Sequence, residues 1–231
     1  MMRARAARRG AIALLLFALP GAPGPAAGAA AGAGTDATVL DRYLQGLTSL
    51  RTGFRQTVND ARGTAVESGA GELIVQRPGR FRWDYEPNAS TSTDPKVSGQ
   101  LLVADGRNLW FYDRELSQVT VKPVASVLSP TPVMLLSGSV ADLHAQFDVS
   151  TAKPHDGLDW VVIKPRSAEA DFSHAELGFA GEQLARMIIN DRLGQTVRLD
   201  FEHSQRNVPI DAANLSFVPP AGVDVIGTPQ P

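Results

Sequence analysis

Arg80-Phe81-Arg82-Trp83-Asp84-Tyr85 is the stretch that decides the fold class of this chain. Aromatic and charged side chains alternate strictly through it. A period of two puts Phe81, Trp83 and Tyr85 on one face of a β-strand and the charges on the other. Working outward, residues 101–104 and 108–112 flank Asp105-Gly106-Arg107. An Asp-Gly pair readily supplies the positive φ of a tight hairpin. Val197, Leu199 and Phe201 alternate with Arg198, Asp200 and Glu202, and Phe54, Gln56 and Val58 alternate with Arg55, Thr57 and Asn59 up to a turn at 60–63. The apolar run 72–76 predicts a further strand, as do 118–121, 146–150, 160–164, 175–179, 183–190, 196–203 and 215–218. Gly69-Ala70-Gly71 predicts a bend or bulge.

Helical periodicity is confined to two places. Val39, Leu40, Tyr43, Leu44, Leu47 and Leu50 predict an amphipathic helix over 36–50, capped by Thr35 or Asp36. The apolar, proline-punctuated stretch 123–139 predicts two short helices. One carries Val124, Val127 and Leu128; Pro132 opens the other, with Val133, Met134, Leu135 and Leu136. One N-terminal helix, about ten strands in a meander and two inserted helices are too few helices to cover a parallel sheet. The reading is therefore an antiparallel, strongly curved sheet or incomplete barrel, with the helices against its concave side.

Composition narrows the chemistry. The 231 residues hold 43% hydrophobic side chains and no cysteine, which excludes disulfides, thiolate metal sites, a cysteine nucleophile and an acylated cysteine anchor. Four of the 22 basic residues, Arg3, Arg5, Arg8 and Arg9, precede an apolar run at 11–19 and a small-residue tract at 21–34. That is the build of a secretory signal peptide, 1–31, with cleavage expected near Ala29, Ala30 and Ala31. Nine apolar residues cannot span about 30 Å of hydrocarbon. One exported, soluble domain over 32–231 is expected. Its 18 basic against 24 acidic groups, a net of −6, argue against nucleic acid. His144, His155, His174 and His203 lack metal-ligand spacing, and no nucleophile elbow, phosphate loop or dinucleotide fingerprint occurs. No catalytic site, metal or cofactor is expected. An exported lipid hydrolase using His174 or scattered carboxylates is the alternative from another class.

Val75-Gln76-Arg77-Pro78-Gly79-Arg80-Phe81-Arg82-Trp83 and Val103-Ala104-Asp105-Gly106-Arg107-Asn108-Leu109-Trp110-Phe111-Tyr112-Asp113 together resemble the LolA-type family of periplasmic outer-membrane lipoprotein carriers. Phe54-x-Gln56, Gln118-Val119-Thr120, Thr131-Pro132 with Leu135-Leu136, and Phe217-Val218-Pro219-Pro220-Ala221-Gly222-Val223-Asp224-Val225 fit in order. The resemblance implies a mainly β fold with a few helices: a curved, incompletely closed antiparallel β-barrel of about 10–11 strands, with a helical lid over an apolar cavity. It implies a monomeric carrier that takes acylated lipoproteins from an ATP-driven inner-membrane release complex, an ABC transporter, and delivers them to an outer-membrane receptor. That receptor is anchored through an acylated cysteine, so its absence here favours the soluble partner.

By the same resemblance Arg77 is the lid latch, bonding carbonyls near Leu44 and near Leu136 and Ser137. The acyl-chain cavity draws on Leu73, Phe81, Trp83, Trp110 and Tyr112 from the sheet, and on Leu44, Val133, Met134, Leu135 and Leu136 from the lid. Alternation gives each strand two faces without saying which is concave, so Leu109 and Phe111 are the alternatives at the hairpin. Residues 88–99 form a longer loop than the family pattern. A general periplasmic lipid-binding or envelope-sensing half-barrel is the second alternative.

Overall fold

The structure is a computed structural model describing residues 37–88, 99–124, 132–168 and 170–231. The expected signal peptide, Val127 and Leu128 of the helix expected around them, most of the longer loop, and the side chains of Val133 and Met134 lie outside the described residues.

Helix α1 (Val39–Gln45) leads into a meander of β1 (Ser49–Asn59), β2 (Ala65–Gln76), β3 (Arg80–Pro87), β4 (Gln100–Asp105), β5 (Asn108–Asp113) and β6 (Gln118–Pro123). Helices α2 (Pro132–Ser137) and α3 (Val140–Gln146) precede a second meander, β7 (Phe147–Thr151), β8 (Asp159–Pro165), β9 (Phe172–Ala180), β10 (Gln183–Asp191) and β11 (Thr196–Arg206). A 3₁₀ turn (Ala212–Leu215) and β12 (Asp224–Ile226) complete the described chain. All twelve strands form one open, curved sheet, ordered β12-β6-β5-β4-β3-β2-β1-β11-β10-β9-β8-β7. Pairing is antiparallel except at β12, which runs parallel to β6. The meanders meet where β1 pairs with β11, from Leu50 opposite Arg206 to Asn59 opposite Thr196.

Register fixes two faces. Pairing carries Leu50, Thr52, Phe54 and Gln56 across to Val75, Leu73, Gly71 and Gly69, and from there to Phe81, Trp83 and Tyr85. This inner face meets the helices: Tyr43 of α1 packs edge-on against Phe179 of β9, with ring centroids 5.5 Å apart. The opposite face carries a second cluster of Leu101, Val103, Trp110, Val119 and Val121, covered by Phe217 and Val223 from the C-terminal segment.

Four expectations change. Helix α1 begins at Thr38, not at Thr35 or Asp36, because the Thr38 side chain accepts from the Asp41 N–H while Asp41 returns a bond to the Thr38 N–H. It ends at Gly46, and Leu50, which fits either period, belongs to β1. Residues 215–218 are not a strand: Asp211 caps the 3₁₀ turn there, Leu215 is apolar because it is fully buried, and Phe217 because it covers the outer face. Gly69 and Gly71 mark no bulge, since β2 and β3 pair without interruption from Gly69–Pro87 to Gln76–Arg80. They leave room for rings instead: a methyl at Gly69 would stand 2.6 Å from the Tyr85 hydroxyl, and one at Gly71 would stand 2.8 Å from Phe54 Cε1. Helix α3, whose Ser139 and Asp142 form a second capping box, is additional to the sequence reading.

Candidate functional site

The inner face at its centre is aromatic. Phe54 stacks on Trp83 with centroids 3.8 Å apart and rings 21° from parallel. Leu73, Phe81 and Trp83 are buried there together, with Leu44 and Leu136 buried on the helices above the sheet and Leu135 nearly so.

The β4–β5 hairpin turns the other way from the first choice. Phe81 pairs with Ala104 and Trp83 with Leu102; those two pair with Leu109 and Phe111. Leu109 and Phe111 therefore share the inner face, whereas Trp110 and Tyr112, placed in the cavity by the sequence reading, face outward beside Val103 and Leu101. The Trp110 indole N–H donates to Asp105 Oδ2 at 2.8 Å, and Phe217 lies 5.7 Å from the Trp110 ring. Burial pushes the Asp105 carboxyl up, but the Asn108 and Arg107 N–H groups and the indole outweigh it and hold its pKa below the ordinary range. Trp110→Ala is accordingly expected to cost about 3–5 kcal/mol of stability while leaving acyl-probe affinity at the wild-type value. Urea unfolding and probe titration, compared at a temperature where the variant is folded, check both halves.

Arg77 closes the β2 end of this face. Its Nη1 donates to the Leu44 and Leu47 carbonyls, the latter at 3.2 Å, and its Nη2 donates to the Gly138 carbonyl. One guanidinium so ties the end of α1 to the residue after α2. Next to it the Gly79 N–H donates to the Ser137 carbonyl at 2.8 Å. The sequence reading placed the second contact near Leu136 and Ser137; the carbonyl that Arg77 reaches is that of the next residue, Gly138, while the Ser137 carbonyl accepts from the backbone of Gly79. Burial lowers the Arg77 pKa, and the charge of Asp142 acts in the opposite sense. Five donors on a planar cation suit several carbonyls at once.

Helix α1 is held at more points than Arg77. The last carbonyls of a helix have no partner within it. Arg206 Nη2 donates to the Tyr43 carbonyl at 3.2 Å, and its guanidinium lies 4.5 Å from the Tyr43 ring centroid. Asn207 Nδ2 donates to the Gly46 carbonyl at 2.8 Å, and its Oδ1 accepts from the Thr48 N–H at 2.8 Å. No local motif announces Arg206 or Asn207; they reach α1 because β11 lies beside β1.

Helices α1 and α3 are joined by the Asp41 Oδ1–His144 Nε2 contact of 2.7 Å. Burial pushes the Asp41 carboxyl up, yet bonds from the Thr38 backbone, His144 and the Thr38 hydroxyl outweigh it and hold its pKa below the ordinary range. On Asp142, Ser139 does the same with little opposition from burial. A folded pKa depressed below the unfolded value near 4 gives stability that is present above that value and lost as pH falls through the folded one. Asp41→Asn is therefore expected to cost about 1–2 kcal/mol near pH 7, a difference that shrinks as pH falls from about 4 towards the lower folded pKa. Urea midpoints measured from pH 7 to pH 3 check this.

His155 and His174 make local contacts. His155 stacks on Trp160 at 4.7 Å; His174 Nδ1 lies 3.0 Å from the Ser173 hydroxyl, and its Nε2 lies 3.2 Å from Asn190 Nδ2. Among the described residues no group of three or more His, Asp or Glu side chains is placed to hold a metal, and no helix is long and apolar enough to cross a membrane.

The family model described as "Outer membrane lipoprotein carrier protein LolA" matches residues 45–218. The chain is 36% identical over 188 residues to the outer-membrane lipoprotein carrier protein of Methylobacillus flagellatus, covering 81% of this chain and 87% of that one. It is 34% identical over 188 residues to that of Dechloromonas aromatica, covering 81% and 86%. For the protein of the same name from Xanthomonas axonopodis pv. citri the identity is 37% over 193 residues, covering 83% and 88%.

Proposed function

The chain belongs to the outer-membrane lipoprotein carrier family, and on that footing we propose how it carries lipoproteins across the periplasm. The acyl chains of the cargo displace the helical segment from the inner face and take its place against Phe54, Leu73, Phe81 and Trp83. Arg77 is the latch that holds the segment down when no cargo is bound. Cargo arrives from an ATP-driven complex in the inner membrane and leaves to a receptor in the outer membrane.

The observation that carries the mechanism is the double reach of Arg77, to α1 on one side and to Gly138 on the other. Burying one methylene stabilises by about 0.8 kcal/mol, so a chain of about 15 gains roughly 12 kcal/mol before costs. Several chains fully buried would exceed the ceiling near 20 kcal/mol for noncovalent affinity. A carrier that must release its cargo needs an opposing term. In the closed form Leu44, Leu136, Leu73 and Phe81 are each at most 1% exposed. Cargo uptake therefore exchanges these protein contacts for acyl contacts, and the net affinity is a difference between two large quantities. Loading from a membrane then draws on the energy of the release complex.

Mass spectrometry of the protein purified from periplasm with its native cargo tests the reading. Triacylated protein is the expected finding. Free lipid alone would overturn it in favour of a general lipid-binding half-barrel.

A further inference from the structure

Gln56 is a polar side chain buried on the inner face of the sheet. On the inner face it lies between Phe54 and Val58 along β1, opposite Gly69 and Leu199. The residue is 5% exposed, and its Oε1 has no hydrogen-bond partner. The other buried side-chain atoms without a partner, among the described residues, are single guanidinium nitrogens of Arg80, Arg114 and Arg206. A guanidinium has donors to spare, but a carboxamide oxygen has no substitute. An orphaned buried acceptor costs about 1–3 kcal/mol, so its persistence in a folded protein calls for a reason, and a donor brought by the cargo supplies one.

The neighbours of Gln56 are acceptors too. The Tyr85 ring lies over Gly69, and the Tyr85 hydroxyl uses its one proton on Glu67 Oε1, 2.7 Å away. Glu67 lies opposite Val58, on the same face as Gln56. Gln56 Oε1 and the Glu67 carboxylate thus put acceptor capacity beside the aromatic stack of Phe54 and Trp83. Such a set favours a ligand that brings an N–H or O–H donor attached to a hydrocarbon chain.

We propose that Gln56 and the Tyr85–Glu67 pair form the head subsite of the acyl site, with Gln56 Oε1 accepting the amide N–H of an N-acylated amino terminus. The proposal rests on the carrier reading and deepens it: the apolar face takes the chains, and Gln56 recognises how one of them is attached. An ester-linked chain offers no proton at that atom. The subsite therefore distinguishes an N-acylated protein from diacyl lipid of equal chain length.

Two probes differing in one group test this on the full protein. N-palmitoylglycine methyl ester carries the N–H; the palmitate ester of methyl glycolate has oxygen in its place. Displacement of a bound fluorescent fatty acid gives both affinities. Wild type is expected to bind the amide about tenfold more tightly than the ester. Gln56→Met, similar in length and without the acceptor, is expected to bring the ratio below twofold. Equal binding of the two probes by wild type, which needs no variant, overturns the subsite while leaving the carrier reading intact. A tenfold ratio that persists in the variant overturns the assignment to Gln56. Tighter binding of 1-monopalmitoylglycerol than of the amide would overturn the N-acyl donor in favour of a hydroxyl. Binding of no acyl probe at all overturns the carrier reading, and the subsite with it.

Discussion

Arg77→Leu is expected to bind an acyl probe about 30-fold more tightly than wild type and to release acylated lipoprotein correspondingly more slowly. The carbonyls of Leu44, Leu47 and Gly138 share this one side chain. Removing it leaves partly buried acceptors without their donor, a cost of about 2 kcal/mol or more to the closed form. The open, cargo-filled form does not need the three bonds across α1 and Gly138 and is spared that cost. Since 1.4 kcal/mol is about tenfold in a binding constant, the difference appears as affinity gained and release lost. Arg77→Lys, one flexible donor head in place of a planar fork, is expected to fall between the two. Probe titration with a release time course checks this. An Arg77→Leu protein that releases cargo at the wild-type rate, with an unchanged circular dichroism spectrum, would remove the latch.

The second large effect is on folding. Gly71→Val is expected to destabilise by about 3 kcal/mol or more, by overpacking. Any Cβ at Gly71 meets the Asp84 carbonyl oxygen on β3, and on the same face it lies 2.5 Å from Phe54 Cζ. The backbone oxygen cannot yield without opening the β2–β3 ladder. The ring cannot yield without leaving Trp83, on which it is stacked. Ala70→Val, next to Gly71 but exposed on the outer face, should stay within about 0.5 kcal/mol of wild type. Urea unfolding of the two variants makes the comparison, and a Gly71→Val protein as stable as Ala70→Val would show that the aromatic stack has room to move.

Much of the fold is legible in the chain because most strands bury one face and show the other to water. Phe81, Trp83 and Tyr85 are buried, whereas Arg80, Arg82 and Asp84 are half-exposed, so the period of two is written into residue type. The β4–β5 hairpin lacks that contrast. Leu101, Leu102, Val103 and Ala104 are all at most 4% exposed, because the helices cover one side of the sheet and Phe217 and Val223 cover the other. With both faces apolar, alternation fixes a strand but not its orientation, which is why Trp110 and Tyr112 fall on the side opposite to that read. Helix α3 had a legible signal in Ser139 and Asp142, three apart, but its body carries one buried residue, Leu143, too little for periodicity. Arg77 is readable from its place before Pro78 within a family pattern. Arg206 and Asn207 have no such mark, since their contacts with α1 exist only once β11 has paired with a strand about 150 residues earlier.

That seam between β1 and β11 also sets an order of events. Leu50 finds Arg206, and Val58 finds Val197, only after almost the whole chain has been made. Chains fold from the N-terminal side as they emerge, so the first meander waits with the far side of β1 unpaired. A bare strand edge invites pairing with other chains. Arg51 and Arg55 stand on that strand, paired in the finished protein with Glu72 and Glu202. Until Glu202 is made, the charge of Arg55 repels a second copy of the same edge. Aggregation during synthesis should therefore rise on replacing Arg55, a residue whose ion pair is too exposed to matter much to the stability of the folded domain.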